Sequence, residues 1–124
     1  MNIDELRSFC LALPHATEDI QWGNDLLFRI GNKIFAATGL GVTPIQITLK
    51  CTPEKFAELT EIDGIVPARY TARYHWVTFE RTDVLPRREL ENLLSQSYEM
   101  VLAKLPSRVK KQIGDSKAES VRKF

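Results

Sequence analysis

The segment Pro67-Ala68-Arg69-Tyr70-Thr71-Ala72-Arg73-Tyr74-His75-Trp76 places two arginines, three large aromatics and an imidazole within ten residues. Guanidinium groups pair with phosphate and aromatic rings accept stacked bases, so these residue types can contact nucleic acid. The same types also anchor protein interfaces. Lys50 adds a cation, and Arg87-Arg88 follow Pro86 in what reads as the first turn of a helix. Positive charge there opposes the helix dipole, so helix stability does not explain the pair. They read either as an anion seat at a helix N-terminus or as solvated side chains offset by Glu89.

Other chemistries lack their residues. A thiol–imidazole couple would require Cys10 and His75 to leave positions that the pattern assigns to packing. No G-x-S-x-G occurs, and Gly39-x-Gly41 runs into Pro44 with no Gly-Lys-Ser/Thr after it. His15 and His75 make no H-x-x-x-H, and Cys10 and Cys51 make no C-x-x-C, so neither a metal set nor a disulfide is expected. The acidic pairs Asp4-Glu5, Glu18-Asp19 and Glu89/Glu91 fall at caps, loops and wet helix faces. No catalytic residue, metal or cofactor is assigned, and the chain reads as non-enzymatic.

The elements that must position these residues follow from periodicity. Asn2 and Glu5 form a capping pair ahead of Ile3, Leu6, Phe9, Cys10 and Leu13, which predicts a helix over 3–13 ended by Pro14. Residues 26–30 and 33–38 flank Gly31-Asn32 as a hairpin. Ile45, Ile47 and Leu49 alternate with polar residues and predict a half-buried strand over 45–50. Thr52-Pro53-Glu54 opens a short helix over 53–60. A link over 61–73, with Gly64 and Val66-Pro67, leads to a strand over 74–80. A long helix starts near Pro86 and ends before Pro106, and Ser107 caps one further turn over 108–113.

This order of helix, three strands, helix, strand and helix predicts an α+β fold with a small, largely antiparallel sheet and helices packed on one face. Alternation puts His75, Val77 and Phe79 on the covered face. Tyr74 and Trp76 join Arg29, Gln46, Thr48 and Lys50 on the open face, unless Trp76 packs beneath the 61–73 link as a second small core.

The length of 124 residues suits one domain that buries a core without staples, and 44% apolar with 27% charged residues is globular composition. The expected unit is 1–113, followed by a basic tail over 114–124. No apolar run is long enough to span a membrane, and the first dozen residues pattern as a helix instead of a leader. A cytoplasmic monomer with reduced thiols is expected. The formal charge of +1 conceals asymmetry. Residues 1–66 carry five basic and nine acidic side chains, whereas 104–124 carry seven basic and two acidic. Such an end contacts phosphate by counter-ion release or is simply solvated.

Taken in order, several pieces resemble the MmcQ/YjbR family. They are Leu13-Pro14 with Trp22 following, Lys33-Ile34-Phe35-Ala36, Leu49-Lys50 before Pro53-Glu54, Pro67-x-Arg69-Tyr70 to His75-Trp76, and Ser97-Tyr98 in a helix ending Leu105-Pro106. The resemblance runs from residue 1 to about 113. It implies a CyaY-like fold, also compared with double-wing DNA-binding motifs, and a DNA-binding role without known catalytic residues. Family members often carry glycine where this chain has His15. An iron role of the frataxin kind lacks its acidic ridge, since the first helix offers only Asp4 and Glu5.

The expected function is thus a non-enzymatic binding module. It contacts DNA through Lys50, Arg69, Tyr70, Arg73, Tyr74, Trp76, Arg87 and Arg88. The alternative is a protein–protein or small-ligand platform on the same face, which the near-zero net charge favours. An enzyme built on Cys10 or His75 would require both to be accessible and close.

Overall fold

The computed structural model describes residues 1–113, so the tail expected over 114–124 lies outside the described residues. Helix α1 spans Ile3–Ala12. It starts where predicted because Asn2 accepts from the Glu5 amide at 2.8 Å while the Glu5 carboxylate accepts from the Asn2 amide at 3.0 Å. Strands β1 (Thr17–Gln21), β2 (Asp25–Ile30), β3 (Lys33–Gly39) and β4 (Ile47–Lys50) follow. After them come α2 (Pro53–Leu59), β5 (Ile65–Pro67), a 3-10 turn (Ala72–Tyr74), β6 (Trp76–Phe79) and α3 (Arg87–Ala103). Residues 107–113 form one more helical segment.

The sheet has six strands in the order β1-β2-β3-β4-β6-β5, each pair antiparallel. The α+β class and open antiparallel sheet agree with the sequence reading, but two strands are added to it. Strand β1 falls in the polar stretch before the hairpin, where the sequence pattern predicts no element. It is an edge strand whose residues are exposed or half-buried, so it carries no apolar alternation. Strand β5 falls inside the 61–73 link and is only three residues long. The strand predicted over 74–80 is shortened to 76–79, because His75 is left-handed (φ 68°) and closes the 3-10 turn.

Helices α1, α2 and α3 cover one face. Leu6 and Cys10 of α1, Leu59 of α2, and Leu90, Leu94, Tyr98 and Val101 of α3 share a core with Phe28, Phe35, Ile47, Leu49, Val77 and Phe79. The Tyr98 ring meets Phe35 edge-on at 5.4 Å, and its hydroxyl donates to the Pro14 carbonyl at 2.7 Å, tying α3 to the end of α1. Full burial of side chains of this size stabilises by about 1.5–3 kcal/mol each, so these residues dominate the fold. On the opposite face the Thr48 and Thr78 hydroxyls bond across β4 and β6 at 2.8 Å.

The β2–β3 turn is as predicted: Gly31 (φ 55°) and Asn32 (φ 68°) supply the two left-handed residues of a type I′ hairpin. Glycine is needed at 31 on a second ground. A Cβ there would come within 2.7 Å of Leu105 Cδ1 and 3.0 Å of Val109 Cγ1, so the helix over 107–113 packs directly on this turn. His15, where the family resemblance led us to expect glycine, has φ 61°. The backbone conformation that favours glycine is therefore present here with an imidazole on it.

Candidate functional site

Strand register decides which candidate residues meet. Lys50 pairs with Trp76, Leu49 with both Ala36 and Val77, and Pro67 with Val77. The end of β4, the start of β6, the end of β5 and the β2–β3 turn therefore lie at one end of the sheet. Lys50 and Trp76 lie at that end, and the link over 69–74 enters β6 there, although Arg69 also lines a separate cavity over the open sheet face with Trp22, Gln46 and Thr48. The C-terminus of α3 brings Lys104 to that strand end, and the packing of Val109 on Gly31 brings the exposed Arg108, Lys110 and Lys111.

Arg87 and Arg88 do not belong to it. They sit at the N-terminus of α3, a 17-residue helix about 25 Å long, and so at the far end of the molecule. Arg87 pairs with Glu5 of α1 and also lies 3.5 Å from Glu91, one turn on. The anion seat envisaged there is thus corrected for Arg87: carboxylates already engage its guanidinium. Arg88 is exposed.

Lys50 and Trp76 line a groove of about 440 Å³ formed because the sheet splays. Strands β3 and β4 share only two paired positions, Ala36–Leu49 and Ala37–Thr48. Beyond them Ser97 of α3 replaces the missing ladder bond. Its buried hydroxyl accepts from the Lys50 amide at 3.0 Å and donates to the Phe35 carbonyl at 2.6 Å. Past this bridge the gap is floored by Met100 and Val101 of α3 and bordered by Arg29, Lys33, Lys50, Trp76 and Lys104. Trp76 is half-buried and forms a wall, so it neither stands free nor fills a second core.

The groove has cations without counter-charge. Arg29 is held by Asp19 at 2.7 Å, but among the described residues no carboxylate pairs with Lys33, Lys50 or Lys104, and none lines the groove. Burial pushes the Lys50 ammonium below its ordinary pKa, and the nearby charge of Lys104 pushes the same way. An anion placed between the two would relieve that repulsion.

Outside the groove, the link carries stacked arginine–tyrosine pairs. The Arg69 guanidinium lies 5.5 Å from the Tyr70 ring centre, and Arg73 lies 4.7 Å from that of Tyr74. Tyr74, expected on the open face of a strand, is instead in the 3-10 turn and half exposed. Tyr70 is 86% exposed with φ 69°. Of the five non-glycine residues with left-handed φ among the described residues, His15, Asn32, Tyr70 and His75 lie at this end and only Trp22 at the other.

The thiol–imidazole couple is not assembled. Cys10 is fully buried in α1, and burial pushes its thiol up to about 12. The His75 ring faces Phe56 edge-on at 5.6 Å. The other thiol, Cys51, lies beside His75, but it contacts the backbone carbonyl at 3.3 Å and is itself pushed up to about 11 by burial. Among the described residues no three His, Cys, Asp or Glu side chains gather as a metal site, and no helix is long and apolar enough to cross a membrane.

An open antiparallel sheet backed by helices, with a cationic groove at one strand end, defines a small α+β domain. The YjbR family model matches residues 11–100, and the chain belongs to that family. It is 28% identical over 116 residues to the Escherichia coli K12 protein described as uncharacterized protein YjbR, covering 90% of this chain and 96% of that one. The crystal structure of Deinococcus radiodurans protein DR2400, a DUF419 domain, superposes with a TM-score of 0.83 at 30% identity, covering 91% of this chain and 88% of that one. A Pseudomonas syringae protein shares the fold with a TM-score of 0.68 at 22% identity, over 82% of this chain and 99% of that one.

Proposed function

We propose that this protein is a non-enzymatic module that binds nucleic acid, DNA in the first instance, through the end of the sheet that carries Lys50, Trp76 and the Arg69–Tyr74 link. The observation that carries the reading is the groove, in which lysines without carboxylate partners among the described residues flank an indole. Phosphate supplies the missing counter-charge, and bases supply the stacking partner that Trp76, Tyr70 and Tyr74 accept. The near-zero net charge is accommodated because cations are concentrated at one end while much of the remaining charge is paired elsewhere. Lys33, Lys50 and Lys104 share the groove, and the exposed Arg108, Lys110 and Lys111 lie on the helical segment whose Val109 packs near the Gly31 turn. We further propose a cytoplasmic site of action.

Fluorescence anisotropy of labelled duplex and single-stranded DNA, read at low and physiological salt, tests the reading. Binding that weakens linearly in log–log salt is expected, with each neutralised phosphate on a duplex contributing a slope of about −0.9. No binding at low salt overturns it. The size of the groove favours a second reading, a small anionic ligand, because about 440 Å³ falls in the range of small-molecule sites.

A further inference from the structure

From the groove between β3 and β4 we infer a subsite for one nucleoside phosphate unit, either a free nucleotide or an unpaired nucleotide of a strand. The inference rests on the nucleic-acid reading and narrows it to a single position. Two chemistries meet in this groove. One flank is apolar and aromatic, with Trp76 as wall and Met100 and Val101 as floor. The other is cationic, with Lys33, Lys50 and Lys104 and, among the described residues, no carboxylate. Inorganic phosphate would satisfy the ammonium groups but leave the indole and the floor wet. An apolar ligand would cover the floor and leave the lysines without counter-charge. A flat aromatic ring joined to a phosphate answers both, and the volume of about 440 Å³ admits one such unit.

The position of Lys50 is built by the fold. Its amide donates to Ser97 at 3.0 Å and it faces Trp76 across the ladder, so the backbone of the phosphate-pairing residue is fixed beside the stacking residue. Lys104 reaches the same space from the C-cap of α3, independently of the sheet. Two elements therefore present ammonium groups to one volume.

The test uses the full chain carrying Trp22→Phe, which leaves Trp76 as the single indole reporter, because the sequence has two tryptophans. Adenosine monophosphate, adenosine, inorganic phosphate, a hexaglutamate peptide, a short oligodeoxyadenylate and a blunt duplex are titrated against its fluorescence. The expected result is saturable quenching by adenosine monophosphate at least about tenfold tighter than by adenosine, phosphate or hexaglutamate, equivalent to about 1.4 kcal/mol of added recognition. Lys50→Gln and Lys104→Gln should each weaken it several-fold with an unchanged melting temperature. An oligodeoxyadenylate that binds tighter than the mononucleotide marks the unpaired nucleotide of a strand as the ligand, and equal affinity marks the free nucleotide. Phosphate or hexaglutamate matching the nucleotide, or no quenching at all, overturns the inference. If DNA binds in the anisotropy experiment while the Trp76 signal stays flat, the subsite is wrong and the wider reading survives. If the mononucleotide quenches and no strand or duplex binds, the subsite stands and the nucleic-acid reading fails.

Discussion

The two ends of this molecule use the same residue types in opposite ways. At the end formed by the N-termini of α1 and α3, Arg87 pairs with Glu5 and Glu91, and Arg81 lies 3.1 Å from Asp83. At the other end Lys33, Lys50 and Lys104 surround a groove without a carboxylate partner among the described residues, and four non-glycine residues hold left-handed backbone. Unpaired charge and strained backbone both cost stability, and they occur together where the surroundings over-determine them. A cation count alone would not show that the arginines at one end are spoken for. The neighbours of each cation separate the two ends.

The largest effect that would break this contrast is expected at Ser97. Ser97→Ala leaves the Lys50 amide and the Phe35 carbonyl without their partner, and each unsatisfied buried group costs about 1–3 kcal/mol. Denaturant unfolding should show a loss of about 2–4 kcal/mol. A loss below about 0.5 kcal/mol would mean that the splay closes by itself and Ser97 does not hold the groove open.

Gly31→Ala comes next, at about 1–2 kcal/mol, because φ is 55° and the added methyl meets Leu105. It should also loosen residues 107–113, visible as faster amide exchange at Val109 and Lys110. Unchanged exchange there would detach this helix from the basic end. His15→Gly is expected to raise stability by about 0.5–1 kcal/mol by removing a Cβ from left-handed backbone, with the melting temperature as the readout. A fall in melting temperature would show that the imidazole makes a contact worth more than the strain.

Acid should weaken the paired end first. Hydrogen bonds from Asn2 and then Arg87 hold Glu5 below its ordinary pKa of 4.5. A carboxyl depressed in the folded state contributes fully above its unfolded value, and the contribution is lost as pH falls through the folded one. Amide exchange followed from pH 6 downward should therefore rise at the start of α1 before it rises around Lys50. The reverse order would contradict the contrast between the ends.

Much of the fold was legible because its signals are local. The Asn2–Glu5 cap, the Gly31-Asn32 hairpin, the Thr52-Pro53 helix start and the spacing of Leu90, Leu94, Tyr98 and Val101 each specify an element within a few residues. Strand β1 was missed because an edge strand with a wet face has no apolar period to read, although Gly23-Asn24 marks the turn after it. The groove was not legible at all. Lys50 and Trp76 stood out as candidates by type, but Lys104 and Ser97 join them only through the splay of β3 from β4, which no spacing records. The ion pair of Arg87 was not legible for the converse reason, since its partner Glu5 lies 82 residues away.

The central claim is that binding resides at the unpaired end. The most direct measurement compares DNA affinity and its salt slope for Lys50→Gln/Lys104→Gln and for Arg87→Gln/Arg88→Gln. The account predicts a loss of tenfold or more for the lysine pair, with the slope shallower by about 2, and wild-type behaviour for the arginine pair. Equal losses from both pairs, or a loss confined to the arginines, would contradict it.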